Sequence, residues 1–172
     1  MDDIRQTDTQ TRIILTIPST HTQPLVDFFD PAMIPTDITP IYKCDLLTMK
    51  ASSCRCLSFR FKLTFLRSSV IHGIGSFFEI GFTQSSKPLG FSTAPFAKAT
   101  HWKQTMFYLH KKAVEGAEGD TIDVELIAKQ NKKNARDLDI RMELRWKGAG
   151  MSDSACMSDS ACMSDSYEYV FC

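Results

Sequence analysis

The segment LDIRMELRWK, Leu138 to Lys147, alternates without a break. Leu138, Ile140, Met142, Leu144 and Trp146 fall on one side of an extended chain, and Asp139, Arg141, Glu143, Arg145 and Lys147 on the other. Successive side chains point to opposite sides only in a β-strand. Wound into a helix, the same residues would spread charge around the whole axis. TIDVELIA repeats the pattern with Ile122, Val124, Leu126 and Ala128. CLSFRFKLTFL does so with Leu57, Phe59, Phe61, Leu63 and Phe65, and FFEIGFT with Phe78, Ile80 and Phe82. IYKCDLLTMK and YEYVF are weaker strand candidates.

Turn residues separate these runs. Lys87-Pro88-Leu89-Gly90, Glu118-Gly119-Asp120 and Asn131 to Asn134 carry the Gly, Pro, Asn and Asp that tight turns use. No segment sustains a 3.6-residue apolar period beyond about two turns. A short helix fits only near Ser68 to Ile74, where Gly73 and Gly75 would end it. The expected fold is all-β: an antiparallel barrel or sandwich, each strand burying one face.

The chain has 172 residues, enough for one domain with its own core. Its 20 basic and 20 acidic residues cancel, so total charge predicts no general affinity for nucleic acid or an anionic membrane. The charge-free run Ser68 to Phe78 falls far short of the ~18 apolar residues of a membrane helix. The opening MDDIRQTDTQ lacks the apolar run of a secretory signal. The six cysteines form no C-x-x-C pair and are expected as free thiols in a reducing compartment, the cytoplasm or nucleus, with no metal site.

Residues 1–22 read as an extension, poorly ordered or holding one edge strand at Ile13-Ile14-Leu15, and residues 23–172 as the β-domain. Near the end MSDSAC occurs at Met151 and Met157, and a third copy starts at Met163 as MSDS. Such small, acidic residues cannot build a core, so residues 150–166 are expected as a disordered acidic loop. Ser before Asp in every copy also suits phosphorylation.

The sequence offers few candidates for chemistry. His101 follows the loop STAPFAKAT and opens a strand, the kind of position where loops present site residues. It could serve proton transfer, or be scaffold; Trp102 could wall a pocket, or simply pack. His21, His72 and His110 have weaker contexts. Asp120 with Asp123, and Asp137 with Asp139, could act as carboxylate pairs, although turn and strand-face charges account for them as well. No P-loop or dinucleotide fingerprint occurs; HGIG lacks the rest of that motif.

GFSTAPFAKATHWKQTMFYL (Gly90–Leu109), GDTID (Gly119–Asp123) and NKKNARDLDIRMELRWKG (Asn131–Gly148) together resemble the C-terminal barrel of type I protein arginine methyltransferases. PLVDFFDP and KCDLLTMK resemble the segments that enter that barrel, and YEYVF its closing strand. The resemblance implies an antiparallel β-barrel from an enzyme that moves a methyl group from S-adenosylmethionine to arginine in protein substrates. Thr100, His101 and Trp102 would then form one wall of the target-arginine pocket. His101 would act in catalysis, paired with a carboxylate of the cofactor domain, and Trp102 would pack beside the guanidinium. The family's Rossmann-like cofactor domain, its two substrate-clamping glutamates and its helical dimerisation arm have no counterpart here. The MSDSAC repeats stand where the family has a short connection. The chain alone is therefore expected to bind no cofactor and to be inactive, as a fragment of a complete enzyme. The other reading is a non-catalytic barrel that associates with a full-length methyltransferase or with arginine-rich proteins.

Overall fold

A computed structural model of the chain describes residues 23–82, 87, 89–146 and 162–171. Eleven strands are present among the described residues: β1 (Leu25–Asp27), β2 (Cys56–Thr64), β3 (Ser69–Ile71), β4 (Gly73–Ser76), β5 (Glu79–Phe82), β6 (Leu89–Ser92), β7 (Gln104–Tyr108), β8 (Val114–Gly116), β9 (Thr121–Gln130), β10 (Leu138–Trp146) and β11 (Met163–Phe171). Among the described residues the helical elements are two 3-10 turns, Pro31–Met33 and Ala51–Arg55. None is long and apolar enough to cross a membrane.

All strand pairs are antiparallel. The largest sheet runs β11-β10-β9-β2, beside a three-stranded sheet β1-β7-β4 and the pairs β3-β8 and β5-β6. In the large sheet the register stacks like with like. Phe59, Leu126, Met142 and Tyr167 form one row across four strands, and Leu63, Ile122, Trp146 and Met163 another. The opposite face is charged, with Arg60 paired to Glu125 at 2.9 Å and Arg141 to Glu143 at 2.6 Å. Leu144, Met142 and Ile122 are fully buried, and their core continues through Ile71, Ile74, Phe107 and Val114 of the smaller sheets. Burying each such side chain contributes roughly 1.5–3 kcal/mol. This is the all-β, antiparallel barrel-type architecture that the alternation predicts.

Several expectations are corrected. Ser68 to Ile74 forms no helix; it makes β3 and β4. A β-carbon on Gly75 would stand 2.8 Å from the Phe29 ring, and one on Gly73 2.8 Å from Met106 Sδ. The glycines serve close strand packing here rather than a helix end. IYKCDLLTMK makes no strand, because the Asp45 side chain takes the Leu47 amide at 3.0 Å and turns the chain. Phe78 and Phe82 are exposed, since β5 and β6 form a separate two-stranded pair outside the core.

The repeat is also corrected at its end. Its third copy, Met163–Ser166, opens strand β11 opposite Trp146 to Glu143. Pairing along β10 outweighs weak local propensity, and two tyrosines lock the strand. The Tyr167 hydroxyl donates to the Lys112 carbonyl at 3.0 Å and that of Tyr169 to the Tyr108 carbonyl at 2.7 Å. The expected extension, residues 1–22, and the first two repeat copies except Cys162 lie outside the described residues.

Candidate functional site

Thr100 to Lys103 form a turn that leads into β7. The Lys103 amide donates to the Thr100 carbonyl at 3.2 Å. Lys103 has φ 55°, the left-handed region that non-glycine residues seldom enter. Its side chain reaches back to β1. Nζ meets Asp27 Oδ1 at 2.9 Å and lies 5.3 Å from the centre of the Phe28 ring. The hydrogen bond from Lys103, and then that from the Phe28 amide, hold the Asp27 carboxyl below its ordinary range.

This turn carries His101 and Trp102 at the surface. The His101 imidazole lies 3.8 Å, centre to centre, from the Trp102 indole and is tilted by 33°. Phe91 stacks on the same indole at 5.0 Å and 14°. Phe78 meets Trp102 edge-on at 6.0 Å and Phe91 at 6.2 Å. Trp102 nonetheless stays 47% exposed. With Phe82, Leu89 and Phe96 also exposed, this end of the molecule presents an aromatic surface.

Of the three expected site residues, His101 and Trp102 are brought into contact at the surface. Thr100 is half-buried, and its hydroxyl oxygen is shielded from solvent with no hydrogen-bond partner. The other candidates have structural surroundings. Asp120 accepts the Ala117 amide at 2.8 Å, Asp123 pairs with Lys62, and Asp137 and Asp139 accept from Asn134 and Asn131 at 2.8 and 2.6 Å. His72 is exposed. The His110 ring is flanked by Tyr167 and Tyr169 at 5.3 and 6.1 Å. Cys44, Cys54 and Cys56 are exposed free thiols, and Cys162 is half-buried. A shallow pocket of ≈ 400 Å³, lined by Ala51, Cys54, Arg55, Gln130, Ala135 and Leu138, shares no residue with the aromatic cluster.

Sequence reasoning missed the residues that support the turn. Gln104 is 4% exposed; its Nε2 donates to the Thr93 carbonyl at 2.7 Å and its Oε1 accepts the Phe29 amide at 3.3 Å. Thr93, also buried, exchanges hydrogen bonds with the Phe78 backbone through its hydroxyl at 3.0 Å in both directions. The aromatic partners of Trp102 leave a trace in the sequence as the Phe-rich runs around positions 78 and 91. The buried glutamine leaves none.

Comparison with known proteins gives a consistent result. Residues 3–149 match the family described as the arginine methyltransferase oligomerization subdomain. Over 126 residues the chain is 39% identical to protein arginine N-methyltransferase 1 of Chlamydomonas reinhardtii, covering 73% of this chain and 36% of that protein. It is 36% identical over 143 residues to protein arginine N-methyltransferase 1 of Saccharomyces cerevisiae, covering 81% and 40%. Two solved structures share the fold. One is the Trypanosoma brucei PRMT1 enzyme–prozyme heterotetrameric complex with AdoHcy, with TM-score 0.73, 23% identity and coverage of 86% and 44%. The other is Arabidopsis thaliana protein arginine methyltransferase 10, with TM-score 0.74, 20% identity and coverage of 87% and 42%. The chain thus spans well under half the length of these relatives.

Proposed function

The chain belongs to the protein arginine methyltransferase family, in which it is a C-terminal barrel domain, and from this we propose that it forms the substrate side of an arginine methyltransfer site. The carrying observation is the exposed His101–Trp102 pair, set on a turn that is anchored from beneath. S-adenosylmethionine would supply the methyl group, and a separate nucleotide-binding domain would hold it, because this sequence contains no Gly-rich strand-to-helix turn of the kind that the family's cofactor domain carries.

Each residue here has a distinct part in that reading. The guanidinium is planar, permanently charged and well matched to carboxylates, so the wall that meets it has to orient it and exclude water. His101 presents a ring nitrogen at the surface and would pair with a carboxylate of the cofactor domain. Trp102 would pack beside the guanidinium with its exposed part and serve as the platform on which the imidazole rests. Thr100 would contribute main chain and methyl, as its hydroxyl points away from solvent.

The test combines two measurements. Titration of the 172-residue chain with S-adenosylmethionine in a calorimeter is expected to show no binding; micromolar affinity would overturn the assignment of the cofactor to another domain. Methyl transfer to an arginine-rich peptide is then measured in a complete enzyme that carries this barrel, with and without His101→Ala. Loss of turnover supports the reading, and undiminished turnover makes His101 scaffold.

A second reading draws on the exposed aromatic surface of Phe78, Phe82, Phe96 and Trp102, which is of the kind that partners cover. The barrel would then be a non-catalytic subunit of a full-length methyltransferase, as the enzyme–prozyme assembly of the Trypanosoma brucei neighbour suggests. Co-purification with a methyltransferase, together with unchanged partner activity when His101 is removed, would favour it. Intact mass and N-terminal sequence of the endogenous polypeptide separate the two readings. An upstream nucleotide-binding domain in the same chain supports the catalytic one. In either case the expected location is the cytoplasm or nucleus.

A further inference from the structure

Two ties hold the Thr100–Lys103 turn to the rest of the barrel, and they differ in weight. The Lys103–Asp27 pair lies in solvent, with side chains 38% and 57% exposed. Exposed pairs of this kind contribute little. The Gln104 carboxamide is buried, and losing a buried donor or acceptor is costly because the partner is left unpaired in a place water does not reach.

We propose that Gln104 is the positioning residue for His101 and Trp102. Its carboxamide donates and accepts at once and pegs together three segments far apart in the sequence: the chain after β1 at Phe29, the loop after β6 at Thr93, and the start of β7. The constraint continues outward. Thr93 grips the Phe78 backbone through its hydroxyl and its amide, the latter at 2.9 Å. Phe78 and Phe91 then seat the Trp102 ring. The effect on turnover rests on reading His101 and Trp102 as a pocket wall; the positioning itself does not.

Gln104 also breaks the strand's own rule. Phe107 and Leu109 point inward, so alternation along β7 assigns position 104 to the outer face. It is buried there because the Thr93 loop and Phe29 cover it. Glutamine suits the position, since a glutamate carboxylate could take the Phe29 amide but could not donate to the Thr93 carbonyl.

The chain has two tryptophans, and Trp146 lies in the core. Their indole N–H signals in a ¹H–¹⁵N NMR spectrum of the full chain therefore report the turn and the core separately. In Gln104→Leu the Trp102 signal is expected to shift and broaden while that of Trp146 keeps its place. Gln104→Glu gives the same loss at neutral pH. As pH falls through the titration of the introduced carboxyl, which burial raises above its ordinary value of about 4.3, the acid regains a donor. The Trp102 signal is then expected to return toward that of the unaltered chain.

An unmoved Trp102 signal in both variants overturns the proposal, as does a joint shift of both tryptophans that pH does not reverse in the Glu variant. If Gln104→Leu fails to fold, the pH return in Gln104→Glu decides. In a complete enzyme, displaced Trp102 with full turnover would sink the pocket-wall reading and leave the positioning role standing. Lost turnover with Trp102 undisturbed would overturn the positioning role.

Discussion

The ring of Phe65 lies directly over Gly116: a β-carbon there would come within 2.7 Å of ring atoms Cδ2 and Cζ. Phe65 is itself buried at the end of β2, so the ring has nowhere to retreat. Gly116→Ala is expected to cost about 1–3 kcal/mol through overpacking, read by urea denaturation. Adding Phe65→Leu should recover part of the loss, and failure to do so would place the strain elsewhere. Gly119 gives the contrasting case. It has φ +87° with open space around it. Gly119→Ala should cost about 1–2 kcal/mol for its backbone conformation alone, with Gly119→Asn milder because asparagine tolerates that region.

Leu144 is fully buried where β10 crosses the middle of the large sheet. Leu144→Ala is expected to remove about 2–5 kcal/mol. For a domain of this size that is a shift of the urea midpoint by about 1 M or more. A loss under 1 kcal/mol would mean that the neighbouring rows collapse into the space.

Tyr167 and Tyr169 tie β11 to the far side of the barrel, and their phenols titrate accordingly. Burial pushes Tyr167 up to about 12 and raises Tyr169 as well. The folded state thus holds these protons more tightly than the unfolded chain, whose phenols titrate near 10. Their contribution to stability is whole below pH 10 and is lost as pH rises from there through the folded values. Unfolding midpoints should fall steeply between about pH 10 and 12, less so in the Tyr167→Phe, Tyr169→Phe double variant. An equal fall in both proteins would assign the loss to other groups.

His101 is exposed and makes no hydrogen bond among the described residues. His101→Ala should therefore shift stability by no more than about 0.5 kcal/mol. In a complete enzyme it should lower kcat by about 10²-fold, the low end of what a proton-handling side chain supplies. A large stability loss would show that the imidazole serves to hold Trp102 in place.

The strands long enough to show a clear period were legible. Ile122, Val124 and Leu126 on β9, and Ile140, Met142 and Leu144 on β10, are buried as their alternation requires. For the short strands β3 and β4, local pattern was silent. Ser69–Ile71 pairs with Val114–Gly116, and Gly73–Ser76 with Thr105–Tyr108, and neither short run has enough residues to show a period. The site divided in the same way. His101 and Trp102 stood out by residue type and loop context. Gln104 did not, because its burial is decided by two segments 11 and 75 positions away.

Strand β11 begins inside the tandem repeat, at its third copy, and this gives the end of the domain an unusual freedom. β11 begins on a Met-Ser-Asp-Ser that two further copies stand ready to supply. Copy number can change by whole hexamers without altering one residue of the strand, its facing pattern or the pairing of Met163 with Trp146. Were both upstream copies lost, Lys147 to Gly150 would remain as a four-residue connection, a length that β-hairpins commonly use. Replication slippage, which would shear most strands, here changes only how many copies precede β11.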